Sequence, residues 1–406
     1  MKRWENLSDP IFHYAASRGD AVALADGDET LTYAALAPLV AGASVYLREL
    51  GIAQGDRIGI ALTSSADHVI LLLAVLRVGA TPIELSIEDT PETLAAIARK
   101  YNVRKIFTAA RTPQPPGVAR IRVDPGWRGV IAARIGDHRV LASADALEIV
   151  SLTTGSTGVP SGVIWTHRQH MQHIALRLVI YYGQPQAGFQ PADLLLTGSM
   201  HHGWFFIGAL MQLSCGGRLV LVPESITAAD LVRIIAAAGP ALACVTANLC
   251  RAFLGAVPDR GLLFPRLRLL ESAALPLFGE EKRAILSRVA ANFLETYGDA
   301  GIGTISLLRS AAMPYKPDSV GLPLPTVQVE IVDDNGAALP RGMFGKIRCR
   351  SALMPRGCPE DAGDRGAEYR GSAAYISDGW YYPGDIGALD PEGYLHLRGR
   401  AADVTR

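Results

Sequence analysis

The chain has 406 residues, 39 basic and 39 acidic side chains, and 49% of its residues are apolar. That length exceeds one ordinary hydrophobic core and implies two or three sub-domains packed together. A formal charge of +0 excludes a protein that neutralises nucleic-acid phosphates with a basic face.

Residues 1–20 contain no sustained apolar region of the signal-peptide kind. The best apolar run, 69–76, stops at Arg77 and is far too short to span a bilayer. Five cysteines (Cys215, Cys244, Cys250, Cys349 and Cys358) show no C-x-x-C pairing, which fits a reducing compartment better than a disulfide framework or a zinc site. The expectation is a cytoplasmic globular protein with no membrane and no nucleic-acid partner.

From about residue 31 to 99, apolar blocks alternate between helical and strand periods. Residues 33–50 read as a helix, with Tyr33, Leu36, Leu39, Val40 and Val45 near helical spacing and Gly51 as its stop. Residues 57–62 predict a strand, 66–78 a helix ending before Gly79, and 81–85 the next strand. The alternation resumes with strands at 194–197, 218–222 and 243–246 and helices at 205–213, 228–238 and 280–289. Short strands alternating with helices imply an α/β sheet with helical crossovers.

After about residue 311 glycine and proline become frequent. Short β-like pieces follow at 327–332, 345–350, 387–389 and 394–398. Turn chemistry separates them: Asp333-Asp334-Asn335-Gly336 and Asp390-Pro391-Glu392-Gly393. This predicts a small all-β module, a distorted barrel, appended to the α/β body. The charged, glycine-rich segment 356–370 reads as a mobile loop.

Three constellations carry chemistry. In Ser151-Leu152-Thr153-Thr154-Gly155-Ser156-Thr157-Gly158-Val159-Pro160-Ser161-Gly162, glycines permit close approach of backbone to an anion. The hydroxyls and successive N–H groups can hydrogen-bond to it, which suits a chain of phosphates. The spacing is not that of a Walker A loop, and taken alone the run equally suits a flexible linker. In Glu295-Thr296-Tyr297-Gly298-Asp299-Ala300-Gly301, an aromatic followed by glycine can offer a flat face to a base. Alone, it also reads as a buried aromatic at a turn. In Asp378-Gly379-Trp380-Tyr381-Tyr382-Pro383-Gly384-Asp385, followed by Gly399-Arg400, Asp385 can accept from vicinal sugar hydroxyls and Arg400 can pair with a sugar or phosphate. A turn aspartate with an exposed arginine is the plainer alternative.

Together, in this order, these motifs resemble the core motifs of the adenylate-forming superfamily, which contains acyl- and aryl-CoA synthetases, peptide-synthetase adenylation domains and luciferases. Leu31-Thr32-Tyr33, Gly55-Asp56-Arg57, Gly79-Ala80, Thr166-His167, the segment 272–277 and the segment 320–325 add to the resemblance, which runs from about residue 10 to Arg406. It implies an acyl-CoA synthetase-like large N-terminal domain: an α/β sub-domain with the phosphate loop (1–180), a second with the substrate and adenine site (181–310), a β-barrel-like sub-domain (311–398), and the start of a hinge (399–406). The two α/β sub-domains would be packed together and carry mixed sheets.

Position by position, the resemblance implies that Thr153, Thr154, Gly155, Ser156, Thr157 and Gly158, with Ser161, close over the β- and γ-phosphates of ATP, Thr157 having a catalytic part. Ala273 and Ala274 would border the adenine, with Tyr297 stacking on it and Gly298 beside it at the nucleotide. Asp385 would hold the ribose hydroxyls, with Arg400 beside it. His201, His202, Gly203 and Trp204 would wall the carboxylate substrate, faced by Ala247 and Asn248. For the two histidines a core or surface role is an equal alternative, and His202 is carried as a catalytic candidate. The implied cofactors and partners are ATP/AMP, Mg2+, a small or aromatic carboxylic acid, and CoA or the phosphopantetheine of a carrier protein. A homodimer is left open.

Three departures bear on the chemistry. Ser161 stands where the family carries a lysine, and Ala300 and Gly301 stand where it carries Thr-Glu, the glutamate on Mg2+. Asp299 is the nearest carboxylate and is the candidate for both the metal and the catalytic role. The family also continues beyond Gly399-Arg400 into a small C-terminal domain with a lysine that binds acyl and phosphate oxygens. Here no lysine follows Lys346, and the sequence ends at Arg406 beside Asp403, which matches the hinge, so a truncated form without that domain is expected. Attack of a carboxylate on the α-phosphate gathers negative charge, and each lost charge contact of this kind can cost roughly 3 kcal/mol, about two orders of magnitude in rate. The sequence therefore predicts an ATP-dependent acid-activating ligase, slow or silent as this chain. The alternative is a degenerate, non-catalytic homologue that binds AMP, an acyl-adenylate or a protein partner.

Overall fold

The computed structural model describes residues 4–109, 115–140, 146–153, 161–183, 191, 193–223, 225–273, 275–354 and 375–401. They fall into two compact units, the first drawn from Met1–Thr153 and Gly162–Ser225, the second from Thr154–Ser161 and Ile226–Arg406. The boundary lies at 225/226, so the segment 181–225 belongs with the first unit and the β-rich segment after 311 lies inside the second. The 356–370 stretch falls outside the described residues.

In the first unit, α1 (Asp9–Ser17) leads into β1 (Val22–Asp26), β2 (Glu29–Thr32) and α2 (Tyr33–Glu49). There follow β3 (Arg57–Ala61), α3 (Ala66–Arg77), β4 (Thr81–Glu84), α4 (Pro91–Lys100), β5 (Val103–Ala109), β6 (Ala119–Val123) and α5 (Trp127–Ala132). The unit continues with β7 (Leu147–Thr153), β8 (Ser161–Thr166), α6 (His167–Tyr182), β9 (Leu194–Leu196), α7 (Gly203–Ser214) and β10 (Leu219–Leu221).

The helices start where side chains can satisfy their free N–H groups. The hydroxyls of Thr32, Ser65, Thr90 and Thr166 each accept from an amide in the first turn, and Thr166 forms a reciprocal capping box with Gln169. Helix α3 is buried at every position except Asp67, as an all-round apolar helix must be. It ends in the buried Arg77, whose Nη1 donates to Ser8 Oγ at 3.1 Å and whose Nε donates to Asp137 Oδ1 at 2.5 Å.

Two sheets result. One has the order β6-β5-β3-β4-β7-β8, with β3, β4, β5 and β6 joined in parallel register. In the other, β9, β10 and β1 are parallel and β2 pairs antiparallel with β1.

The second unit begins with α8 (Ala228–Ala238), β11 (Leu242–Thr246), α9 (Ala247–Leu254), β12 (Leu269–Ala273), α10 (Gly279–Arg288), β13 (Phe293–Asp299), β14 (Gly303–Arg309) and β15 (Leu322–Pro323). Strands β11, β12 and β13 run parallel, and β14 and β15 return antiparallel. The mixed character expected of the α/β sheets is therefore present in both units.

A further six strands follow: β16 (Val327–Val332), β17 (Gly345–Ser351), β18 (Tyr375–Ser377), β19 (Trp380–Tyr382), β20 (Asp385–Leu389) and β21 (Leu395–Arg400). They form a sheet in the order β18-β19-β17-β20-β21, with β16 beside β17 and its recorded pairs antiparallel. The β18–β19 hairpin turns on Asp378 (φ +50°) and Gly379 (φ +75°), the left-handed pair that a two-residue turn demands. Among the described residues no helix is long and apolar enough to cross a membrane. Cys215, Cys244, Cys250 and Cys349 are buried thiols that form no disulfide.

One buried ion pair ties β13 to α10. Lys282, 1% exposed, sits 2.5 Å from Glu295 Oε2 and donates to the Ser319 carbonyl at 2.8 Å. Glu295 Oε1 accepts from the Leu277 amide at 3.1 Å. Removing one partner strands the other charge in the core, at a cost of about 3–5 kcal/mol. Lys282→Met should therefore lower the chemical-denaturation free energy by that amount. The double variant with Glu295→Leu should recover a large part of the loss. A double variant no more stable than Lys282→Met alone would argue against the stranded charge as the cause.

Candidate functional site

In an open α/β sheet ligands bind beyond the carboxyl ends of the parallel strands. Three such ends lie together in the second unit, because the β11–β12 register sets Thr246 beside Ala273 and the β12–β13 register sets Ser272 beside Glu295. Ala247 and Asn248 open α9 directly after β11. Ala247 is fully buried and Asn248 is exposed, with its Oδ1 accepting from Arg251 at 3.3 Å. Ala273 ends β12 and is buried; Ala274 lies outside the described residues.

Tyr297, Gly298 and Asp299 finish β13. The register against β14 shifts between Tyr297 and Gly298, and a Cβ on Gly298 would come within 2.4 Å of the Gly303 carbonyl oxygen. Glycine is therefore required for this irregular turn of strand, a device that re-aims side chains near functional sites.

The β20–β21 ladder brings a second set of residues to Tyr297. Asp385 lies directly opposite Arg400, with Gly384 (φ +83°) admitting the chain to β20. The Tyr297 hydroxyl donates to Asp385 Oδ2 at 2.6 Å, and Arg400 Nε lies 3.2 Å from Oδ1. Arg400 Nη1 also donates to the Pro383 carbonyl at 2.7 Å, which fixes a half-exposed guanidinium.

Burial is the largest influence on both groups. It pushes the Tyr297 phenol well above its usual range, reinforced by the Asp385 charge, so the hydroxyl remains a donor. It also raises the Asp385 carboxyl, against the pull of the Tyr297 hydroxyl and Arg400. The structure thus brings together Tyr297, Asp385 and Arg400 as an aromatic face, a carboxylate and a cation. That combination can take a flat base, a vicinal diol and an anion.

Asp299 is differently placed. Its Oδ1 accepts from the Gly301 amide at 2.9 Å and also from the Tyr381 hydroxyl. The Tyr381 ring is fully buried, and a Cβ on Gly301 would come within 2.2 Å of it. Among the described residues no group of three or more His, Cys, Asp or Glu side chains could hold a metal ion. Residues 299–301 therefore offer the Mg2+ that the sequence resemblance implies no more than one oxygen of Asp299, and the Tyr381 ring leaves no space for a second carboxylate at 301. Tyr381 stood within the 378–385 motif, but no spacing argument in the sequence could join it to Asp299.

Most of the other expected residues that the structure describes lie in the first unit, Ser161 being grouped with the second. Thr153 ends β7 and Ser161 begins β8, while Thr154, Gly155, Ser156, Thr157 and Gly158 lie outside the described residues. His201 and His202 follow β9, and Gly203 and Trp204 open α7. This stretch is pinned by Ser64, whose hydroxyl donates to the Gly198 carbonyl at 3.1 Å and accepts from the Met200 amide at 3.0 Å.

The two imidazoles lie 4.0 Å apart. Burial, then the neighbouring His202 and His68, pulls His201 down to about 4, so it is neutral near pH 7. His68, which the sequence reading did not single out, pairs with the buried Glu84 at 2.7 Å. Arg177, also not anticipated, is buried on α6, donates to the Tyr181 hydroxyl at 2.5 Å and lies 5.8 Å from the Trp204 ring centroid. Helical spacing set Tyr181 four residues from Arg177, but nothing in the sequence placed Arg177 beside Trp204.

The Tyr297–Asp385 bond has a measurable signature. Asp385 takes up a proton at higher pH in the folded than in the unfolded chain, so acidification through that range favours the folded state. Tyr297→Phe removes a donor that favours the ionised carboxylate and should raise the Asp385 pKa further. Carbon-detected NMR titration of the carboxyl groups reads this shift, and an unmoved Asp385 would show that the hydroxyl does not govern it.

The chain was compared with known proteins. The family described as AMP-binding enzyme matches residues 11–357. The salicylyl-CoA synthase / salicylate adenylyltransferase of a Streptomyces species is 26% identical over 443 residues, covering 99% of this chain and 76% of that protein. Among solved structures, VinN matches with a TM-score of 0.80 at 22% identity, covering 98% of this chain and all of that one (100%). The o-succinylbenzoate CoA synthetase of Bacillus subtilis, in complex with ATP and magnesium ion, matches with a TM-score of 0.82 at 18% identity, covering 97% of this chain and 80% of that one. The structural likenesses establish the α/β fold, and the family match over most of the sequence establishes descent: the chain belongs to the AMP-binding enzyme family.

Proposed function

We propose that this protein binds an adenine nucleotide and activates a carboxylic acid as its acyl-adenylate, slowly, before transfer to a thiol. The observation that carries this reading is the triad of Tyr297, Asp385 and Arg400 at the carboxyl ends of the second unit's parallel strands. Tyr297 offers its ring to the adenine, bordered by Ala273. Asp385 accepts from the ribose hydroxyls, and Arg400 supplies positive charge beside the sugar.

In the first step a carboxylate oxygen attacks the α-phosphorus of ATP, the bond to the β-phosphate oxygen breaks, and pyrophosphate leaves. In the second, a thiolate of CoA or of a carrier-protein phosphopantetheine attacks the acyl carbon, and AMP departs with the electron pair of the broken C–O bond. The stretch from Thr153 to Ser161 is assigned to the phosphates, and His201, His202, Gly203 and Trp204, with Ala247 and Asn248, to the acid. A small aromatic acid suits this assignment. The neutral imidazole of His201 and the Trp204–Phe205 ring pair (4.7 Å between centroids) offer flat, uncharged surface, and the Streptomyces relative is named for salicylate.

The slowness follows from charge. With Ser161, Ala300 and Gly301 in place of Lys and Thr-Glu, the developing negative charge loses stabilisers worth roughly 3 kcal/mol each. The same substitutions favour a second reading, a homologue that binds AMP or an acyl-adenylate without turning over.

Calorimetric titration with AMP and pyrophosphate exchange with a panel of hydroxybenzoates and aliphatic acids separate these readings. AMP should bind, and Asp385→Ala should weaken it by about 10- to 100-fold, the worth of hydrogen bonds to a charged group. Exchange should be measurable but slow with at least one acid. AMP binding with no exchange for any acid would establish the non-catalytic reading, and no AMP binding at all would sink both.

A further inference from the structure

We propose that the metal position of this family's motif is closed in this chain by Tyr381. The adenosine edge then takes AMP or an acyl-adenylate with no divalent cation held at residues 299–301. The inference rests on the nucleotide reading above for its ligand, but its physical basis is separate.

Three observations converge within the second unit. Position 301 has no side chain, and any Cβ there would meet the Tyr381 ring at 2.2 Å. That ring cannot easily yield, because it is fully buried on β19 with its residue in register against the buried Cys349 of β17. The remaining carboxylate, Asp299, turns one oxygen toward both the Tyr381 hydroxyl and the Gly301 amide. A divalent cation at this point would gain at most the other oxygen of a single carboxylate, whereas hard cations bind through several oxygens.

The adenosine-facing groups are bonded to one another without Asp299. Tyr297 and Arg400 engage Asp385, and none of these contacts passes through Asp299. Loss of the metal carboxylate therefore leaves the base, ribose and sugar-side cation contacts intact. Any Mg2+ carried on the phosphates of ATP would gain no ligand from residues 299–301, so the ligand class favoured here is the nucleoside monophosphate or its acyl ester.

Two measurements on the whole chain test this. In calorimetry, AMP should bind with the same affinity in EDTA and in MgCl2, within about twofold. In an electron paramagnetic resonance titration, the free Mn2+ signal should be undiminished by the protein, with and without AMP, in the wild type and in Asp299→Asn alike. Affinity at least tenfold higher in MgCl2, or Mn2+ capture that disappears in Asp299→Asn, would overturn the inference while leaving the nucleotide reading standing. Absence of AMP binding in both buffers would overturn the nucleotide reading and with it the ligand assigned here, and the Mn2+ titration would still decide whether the position is closed.

Discussion

Burial opposes the charge of Asp385, and the groups around it at the edge of the second unit are the ones that make that charge tolerable. The Tyr297 hydroxyl meets one oxygen and Arg400 the other, while Arg400 is itself steadied by the Pro383 carbonyl. A desolvated carboxylate with oriented partners accepts hydrogen bonds more strongly than a solvated one, because the low local dielectric strengthens each contact. The same feature makes the arrangement intolerant, since removing either donor leaves a penalised charge behind. Strand β13, the β19–β20 connection and the Asp385–Arg400 ladder must all be in register for the set to exist.

Next to this set, Ala300 and Gly301 carry a methyl and a hydrogen, and the buried Tyr381 ring occupies the space that a side chain at 301 would need. Burying an aromatic ring favours the fold, whereas a fixed charge at such a place would favour phosphoryl chemistry.

The first unit likewise keeps polar groups buried by pairing them. Arg77 is saturated by Ser8 and Asp137 under the Phe12 ring, and His68 is set against Glu84. Ser64 clamps the segment that leads to His201 and His202. Rigid support of this kind gives side chains after a strand a defined direction, which a loop alone would not.

Much of the architecture was legible from periodicity. The helix predicted over 33–50 is Tyr33–Glu49, that over 228–238 is Ala228–Ala238, and the strand over 327–332 is Val327–Val332. Side-chain caps and glycine stops act over a few residues, so local sequence specifies them. The short pieces 387–389 and 394–398 were underestimated. They extend to Asp385–Leu389 and Leu395–Arg400 because cross-strand hydrogen bonds, absent from any local pattern, carry the ladder past the glycines. The motifs singled out Tyr297, Asp385 and Arg400 as residue types suited to a nucleotide, and Ser161, Ala300 and Gly301 as departures from the expected polar and charged residues. That Tyr297 bonds Asp385 across 88 positions of sequence, and that Tyr381 fills the space above Gly301 and engages Asp299, only the tertiary structure decided. Sequence fixes which chemistry each residue can offer, whereas the register of strands far apart in the chain fixes which groups meet and which volumes are already filled.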